Sequence, residues 1–552
     1  MKKFYALALA AVMLLCLFAS CTNNDPPASS SPGASASASS SPGASASSSP
    51  GAPASESQPP PSQEPLDGPL FDKPITFEIW NPTPSIPFEE GMLLERALGE
   101  RHNVFFDMTY LPGNDVAAKI ELGLASKDLP DAYSFVSTDQ ASNWGFQGAL
   151  VNYMEKLGQM PNFAAWLNEK RSGPDAGYVD VVMTPGNTLF LTPQISGLNM
   201  RNNTIWMYRE DILNLHNLKA PATEVEMYEV CKALKAIYPD SYPLGVQLGI
   251  MMLPKIAWQW GVKYGMNGNW GHYYDNAQQK FFDVMDNPQF RDVIEWMAKM
   301  FSEELVNPTI ISASAGDISG LMVQDKTFFW HAGIGWFERT VTDAREENPD
   351  FGLAYMKPFS AGPNGTRTSE PQGGFINFGY GVFTTGKQID EFLKYLDWTY
   401  TEEGVELLSW GVEGESFYYD ADGNKAWLGL ERGDAIGPTR EYGIQFYGLY
   451  NYIDPAAIMA IASDDALKIF EAFGKGDLGE PRIPNATLNE ERQTRYEELN
   501  PPITNRRNEV IGMIITGQLP ISAFDDLKAE LEAMGSKEIL TLVNDQIEED
   551  RK

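Results

Sequence analysis

Rings, carboxylates and amides are the side chains of this sequence with the numbers to do chemistry, because histidine and cysteine are scarce. Four histidines and three cysteines, Cys16, Cys21 and Cys231, are too few for a Cys/His zinc site or a disulfide scaffold. Neither a Gly-x-Ser-x-Gly elbow nor a His-Glu-x-x-His helix is present, which removes the commonest esterase and zinc-protease chemistries. Gly381 to Lys387 copies a phosphate-binding loop for seven positions, but Gln388 stands where a Ser or Thr hydroxyl must hold magnesium. Asp420, Asp422 and Asn424 imitate a calcium loop, yet Lys425 takes the place of the glycine that must turn the chain. A hairpin with an Asp-Gly turn is the better reading there.

The chain that must position these groups has 552 residues and a net charge of −33, with 43 % apolar residues. That is enough apolar surface for one or two buried cores. Seventy-four Asp and Glu against forty-one Lys and Arg, with no compact basic patch, argue against nucleic-acid binding. Lys2 and Lys3 precede an uncharged run from Phe4 to Phe18, too short to span a bilayer and read as a secretory signal over residues 1–20. Leu17-Phe18-Ala19-Ser20-Cys21 resembles a bacterial lipobox with Cys21 as the lipidated residue, Phe18 standing where Leu is usual. Residues 21–68 are then a Ser/Ala/Pro/Gly tether, which cannot bury enough apolar surface to offset the entropy of ordering. The address expected is the extracytoplasmic face of the cell membrane, held by lipid.

From Leu70 onward, strand and helix patterns alternate. Ile75 to Trp80, a helical stretch from Glu89 to Gly99 and Val104 to Tyr110 make a β-α-β opening; Val116, Ile120 and Leu124 repeat at helical spacing before a strand at Ala132 to Val136. These crossovers predict an α/β fold with parallel sheets. Thr223 and Glu226 form a capping box ahead of a helix burying Met227, Val230, Cys231 and Leu234, so Cys231 is expected to be a core thiol. Ile389 to Tyr400 predicts another amphipathic helix, and Phe524 to Met534, capped by Ser522 and closed by Gly535, a last one. About 480 residues are too many for one α/β core, so two lobes are expected, with ligand at the carboxyl ends of their strands.

Several stretches carry a resemblance in order along the chain. They are Asp115 to Asp131 with its Leu129-Pro130-Asp131 end, Met207-Tyr208-Arg209-Glu210-Asp211 followed by Pro221 and Thr223, Tyr395 to Gly404, and Trp410 to Tyr418. Together they resemble family 1 extracellular solute-binding lipoproteins of ABC importers, in the long-chain LipO-type branch. The resemblance implies a two-lobe, Venus-flytrap fold with discontinuous lobes, 69–192 plus 372–414 and 193–371 plus 415–549. It also implies capture of a carbohydrate for a permease pair, no enzyme activity, no cofactor, and a monomer. Some relatives bind calcium in an acidic loop after a second-lobe helix; Pro239 to Pro243 keeps one carboxylate, so no metal is expected. A secreted glycan hydrolase and a passive surface glycan-binding protein are the rival classes, because so many acids supply candidate pairs by chance.

Sugars offer apolar C–H faces and polar rims, so their sites pair stacking rings with carboxylates and amides. The resemblance places Trp80 and Asn81 on a cleft loop, and Ser137, Thr138 and Asp139 where polar ligand contacts fall. Trp336, ending the run Phe328 to Trp336, is the leading stacking candidate. Trp144 is a candidate or a buried ring beneath the loop. Trp258 and Trp260 share a side on a strand and diverge on a helix, and the pattern does not decide. Trp270 sits among turn residues as a platform or a plug. Glu413 is a candidate for sugar hydroxyls, Arg209 reads as an interlobe ion-pair residue, and Asp131 as a cap of its strand.

Overall fold

The computed structural model describes residues 68–84, 86–112, 116–134, 138–172, 183–184, 186–193, 195–196, 204–246, 253–263, 271–368, 379–445, 449, 451–474, 486 and 488–550. The expected leader, Cys21 and the expected tether as far as Asp67 lie outside the described residues, as do Ser137, Trp270 and the chain around the expected boundary at 372. In chain order the elements that matter here begin with β1 (Ile75–Pro82), α1 (Leu93–His102), β2 (Val104–Leu111), α2 (Val116–Ser126), β3 (Ala132–Ser134) and α3 (Thr138–Phe146). They continue with β4 (Thr204–Arg209), α4 (Glu224–Ile237), β5 (Leu244–Gly245), β6 (Phe329–Gly333), α5 (Ile334–Arg345) and β7 (Leu353–Met356). Last come β8 (Tyr380–Val382), α6 (Ile389–Trp398), β9 (Phe417–Tyr419), β10 (Lys425–Trp427) and α7 (Glu490–Ile515).

Two four-stranded sheets organise the chain, ordered β8-β3-β1-β2 and β7-β4-β6-β5. In the first, β1 pairs in parallel with β2, from Ile75 opposite Val104 to Pro82 opposite Leu111, and in parallel with β3; β8 runs antiparallel to β3. In the second, β6 is parallel to β5, while β4 is antiparallel to both β6 and β7. The sheets are therefore mixed, where crossovers alone predicted parallel ones. A β-α-β crossover dictates direction only for the strands it links, and β4 and β8 are each entered by chain arriving from the other sheet.

Both sheets are covered on both faces, and strand periodicity decides which residue goes where. On β1, Phe77 and Ile79 enter one core with Leu94, Leu98, Leu396 and Trp398, while Trp80 leans on the opposite cluster of Leu111, Val116, Ile120, Tyr133 and Trp144. On β4, Trp206 joins a core with Met227, Cys231 and Phe329, and Ile205 and Met207 face the other way with Trp330, Phe337 and Val341. Gly381 sits where an added Cβ would lie 2.4 Å from the Tyr133 ring, so the phosphate-loop lookalike is a strand glycine admitting a ring.

Local signals explain the elements. α1 ends at Asn103, whose φ of 58° is left-handed and whose N–H donates to the Gly99 carbonyl. At the start of α4 the Thr223 hydroxyl accepts from Glu226 N–H and the Glu226 carboxylate accepts from Ala222 N–H, a capping box shifted by one residue. Cys231 is fully buried, and burial pushes its thiol pKa up. β9 and β10 form the expected hairpin, its turn held by Asp420 Oδ1 accepting from Asp422 and Asn424 N–H. Ser522 gives no side-chain cap to the helix Ala523–Met534, and that helix is not the last, since Ser536–Asp550 follows it.

One boundary differs from expectation. Residues 415–461 were expected in the second lobe, yet Phe417, Trp427, Ile444, Leu449, Ile453 and Ile461 all pack in the first core. The cause is a stack of Trp427 on Trp410, with centroids 5.1 Å apart, pinned where Trp427 Nε1 donates to the Ala457 carbonyl and Trp410 Nε1 to Asp454. The first core thus ends near Ile461, and the next helix, Asp464–Gly474, brings Ala466 and Ile469 to the second sheet.

His272 supplies a stability prediction. Its ring is fully buried, and burial together with the nearby Arg507 charge lowers its pKa to about 3. The folded state keeps it neutral while the unfolded state protonates below about pH 6.5, so stability falls as pH drops between those values, by about 1.4 kcal/mol per unit. Asp283 in the same cluster acts oppositely, since burial raises its pKa and favours its proton in the fold. Denaturant titrations of wild type and His272→Asn isolate the histidine: between pH 7 and pH 5 wild type should lose about 2 kcal/mol more than the variant. Equal losses would mean the imidazole protonates in place.

Candidate functional site

The path of the chain between the sheets marks out a candidate site. The first crossing departs near Thr192, whose N–H donates to the Tyr380 carbonyl and whose hydroxyl accepts from Tyr380 N–H and donates to Asn451 Oδ1. Tyr380 opens β8 opposite Ser134, the carboxyl end of β3. The chain re-enters at Thr204, which opens β4 opposite Gly333, the carboxyl end of β6. Because β5 and β7 both run with β6, their carboxyl ends share that edge. These two crossings, 192 to 204 and 368 to 380, therefore join the edges where open α/β sheets take ligands, while a third passage follows Ile461.

Two of the expected rings stand on these edges. Trp80, two residues from the end of β1, is half-buried, and Lys119 on the first turn of α2 holds its ammonium 4.5 Å from the ring centroid. Trp336 lies in the first turn of α5, directly after β6, rather than ending the strand as the sequence suggested. Nothing lies within 4 Å of a Cβ placed on Gly335, so the space beside Trp336 is open there. Trp336 is half-buried, 6.0 Å from the core ring of Trp330, with the Arg339 guanidinium 5.2 Å away.

The remaining candidates separate from this pair. Asn81 is buried, its amide reaching Met108 and its carbonyl accepting from the Ser134 hydroxyl, which makes it a tie between strands. Trp144 is a buried ring, edge-on to Tyr133 at 5.6 Å. Trp258 and Trp260 fall on a 3-10 turn and pack into the second core, Trp260 against Trp296 and Phe359, so neither offers a face for stacking in this conformation. Thr138 and Asp139 open α3. Glu413 is exposed, two residues before Glu415, whose carboxylate accepts from Arg96 at 2.6 Å.

Arg209 is not an interlobe residue. Its partners Asp211, Asp325 and the Met322 carbonyl all belong to the second sheet's surroundings. It stands at the carboxyl end of β4, and the antiparallel direction of β4 puts that end on the edge away from the crossings. Asp131 ties β1 to the segment after β8, its carboxylate accepting from the backbone N–H of Glu78, Lys387 and Gln388. Sequence reasoning missed a link between the lobes through α3 and α7, where Asn143 donates to Glu497. No local pattern could pair residues 354 positions apart.

Comparison with known proteins fits this geometry. The profile of the family described as bacterial extracellular solute-binding protein matches residues 106–406. The fructooligosaccharide ABC transporter substrate-binding protein FusA of Streptococcus pneumoniae is 22 % identical over 348 residues, 59 % of this chain and 60 % of that protein. The chain therefore matches less than two thirds of that relative's length. Among solved structures, the alginate-binding protein AlgQ2 without calcium ion superposes with a TM-score of 0.72 at 18 % identity, covering 87 % of this chain and 99 % of that one. An EF-hand mutant of S. pneumoniae FusA in complex with fructo-nystose gives 0.67 at 17 %, covering 86 % and 99 %. Those solved structures have two lobes, and this chain shares their fold.

Among residues 239–243 Asp240 is the one carboxylate, and the Lys235 ammonium donates to the Ser241 carbonyl at 2.9 Å, placing a fixed positive charge against the loop. Among the described residues no group of three or more His, Cys, Asp or Glu side chains could hold a metal ion.

Proposed function

The chain belongs to the bacterial extracellular solute-binding protein family, and from that premise we propose that it captures an oligosaccharide between its two lobes and delivers it to an ABC permease. The observation that carries this reading is the pair of half-exposed tryptophans, Trp80 and Trp336, one on the crossing edge of each sheet. An aromatic face stacks well on the C–H face of a sugar and poorly on a small polar solute. The relatives it matches are substrate-binding proteins of transporters and not enzymes, and fructooligosaccharide and alginate in their names support the ligand class. In this reading Cys21 carries the lipid, and residues 22–68 let the two-lobe body reach away from the membrane while the permease recognises its ligand-closed form.

Closure follows from binding energetics. A ligand that touches both edges binds the closed arrangement better than the open one and shifts the population by that difference. A thermal-shift screen of neutral and acidic oligosaccharides, polyols and short peptides tests the class, because binding to the native state raises the midpoint by mass action. At least one oligosaccharide should raise it, with compaction in solution scattering. A shift from peptides or polyols alone would overturn the sugar assignment.

A further inference from the structure

We infer that the ligand is an acid-bearing oligosaccharide whose uronate carboxylate is met by Lys119 beside Trp80. The inference rests on the saccharide-capture reading and names its substrate class. Acidic residues outnumber basic ones 74 to 41 in this chain, yet each of the two edge tryptophans has a cation for a neighbour, Lys119 on Trp80 and Arg339 on Trp336. Exposed Lys357 follows the carboxyl end of β7 on the same edge as Trp336. Arg339 has an exposed partner in Asp343 at 3.7 Å, whereas Lys119 makes no ion pair among the described residues.

The position of Lys119 is what selects for acid. The Trp80 ring packs against the cluster of Leu111, Val116 and Ile120 but keeps part of its surface exposed, and the ammonium of Lys119 lies 4.5 Å from its centroid. A neutral sugar that stacks on the face the ammonium covers displaces it and loses its attraction to the ring without return. A uronate carries its carboxylate on the ring carbon next to the ring oxygen, at the edge of the face that stacks. The displaced ammonium then swings to that carboxylate and exchanges a weak contact for a charge-assisted hydrogen bond.

Calorimetry with the full chain tests this, using tetramers of galacturonate, mannuronate and guluronate, each also in its carboxyl-methylated form. At least one acid tetramer should bind ten times more tightly than its ester, and the preference should shrink as salt is raised. Lys119→Gln should remove most of that preference by weakening the acid while leaving the ester unchanged or tighter, with an unaltered melting midpoint. The inference is overturned if every ester binds as well as its acid, if no acid tetramer binds, or if Lys119→Gln keeps the preference. Binding of neutral oligosaccharides without the acids overturns this inference alone, whereas failure of every saccharide overturns the capture reading with it.

Discussion

Arg209→Met should lower the unfolding free energy by about 3 kcal/mol, the lower end of the cost of breaking a buried ion pair. The guanidinium is buried: Nε and Nη2 donate to Asp211 at 2.9 and 2.7 Å, Nη1 donates to the Met322 carbonyl at 2.6 Å and to Asp325, and the group lies 4.2 Å over the Phe351 ring. Methionine fills the volume but strands two carboxylates and a carbonyl. Asp211 and Asp325 keep 21 % and 47 % of their side-chain exposure, so water recovers part of the loss, which is why the lower end applies. Ligand affinity measured well below the melting midpoint should not change, because Arg209 stands on the edge away from the crossings. A large affinity loss with stability intact would return Arg209 to the interlobe role that its sequence pattern suggested. Adding Asp325→Asn to the variant should recover part of the stability, since neighbours in one network do not add.

The same contrast shows what the sequence makes legible. Patterns closed within one turn or one strand pair are read correctly: the first β-α-β unit, the Thr223 cap, the burial of Cys231, the 417–427 hairpin. Each depends on partners close along the chain. What fails depends on partners far along it. Arg209 finds Asp325 116 positions away, and the Trp410 to Asp454 bond draws 415–461 into the first core against the expected boundary. α7 runs through Pro501 and Pro502, a pair that by local rules should break a helix, and its packing in the second core overrides them. For the site, composition identified tryptophan as the chemistry without saying which rings keep a free face. Trp258 and Trp260 are as tryptophan-rich a signal as Trp80 and Trp336, and tertiary packing alone separates them.

Trp336→Ala tests one of the two edge rings directly. If the ring is a platform, its removal should weaken oligosaccharide binding by about 1 to 3 kcal/mol, roughly a fivefold to 150-fold rise in dissociation constant, from lost stacking and lost apolar burial. The ring also touches Trp330 and the cluster behind α5, so some stability goes with it. Two readouts separate these effects. Affinity is measured well below the melting midpoint, and Trp336→Phe keeps an aromatic face while shrinking the packing. A platform predicts that Phe restores most of the affinity and Ala does not; a purely structural ring predicts that both variants melt earlier and bind alike. Trp258→Phe supplies the opposite control, since a fully buried ring should move the midpoint and leave the affinity alone. Unchanged affinity in Trp336→Ala would leave Trp80 as the ring on which the capture reading stands.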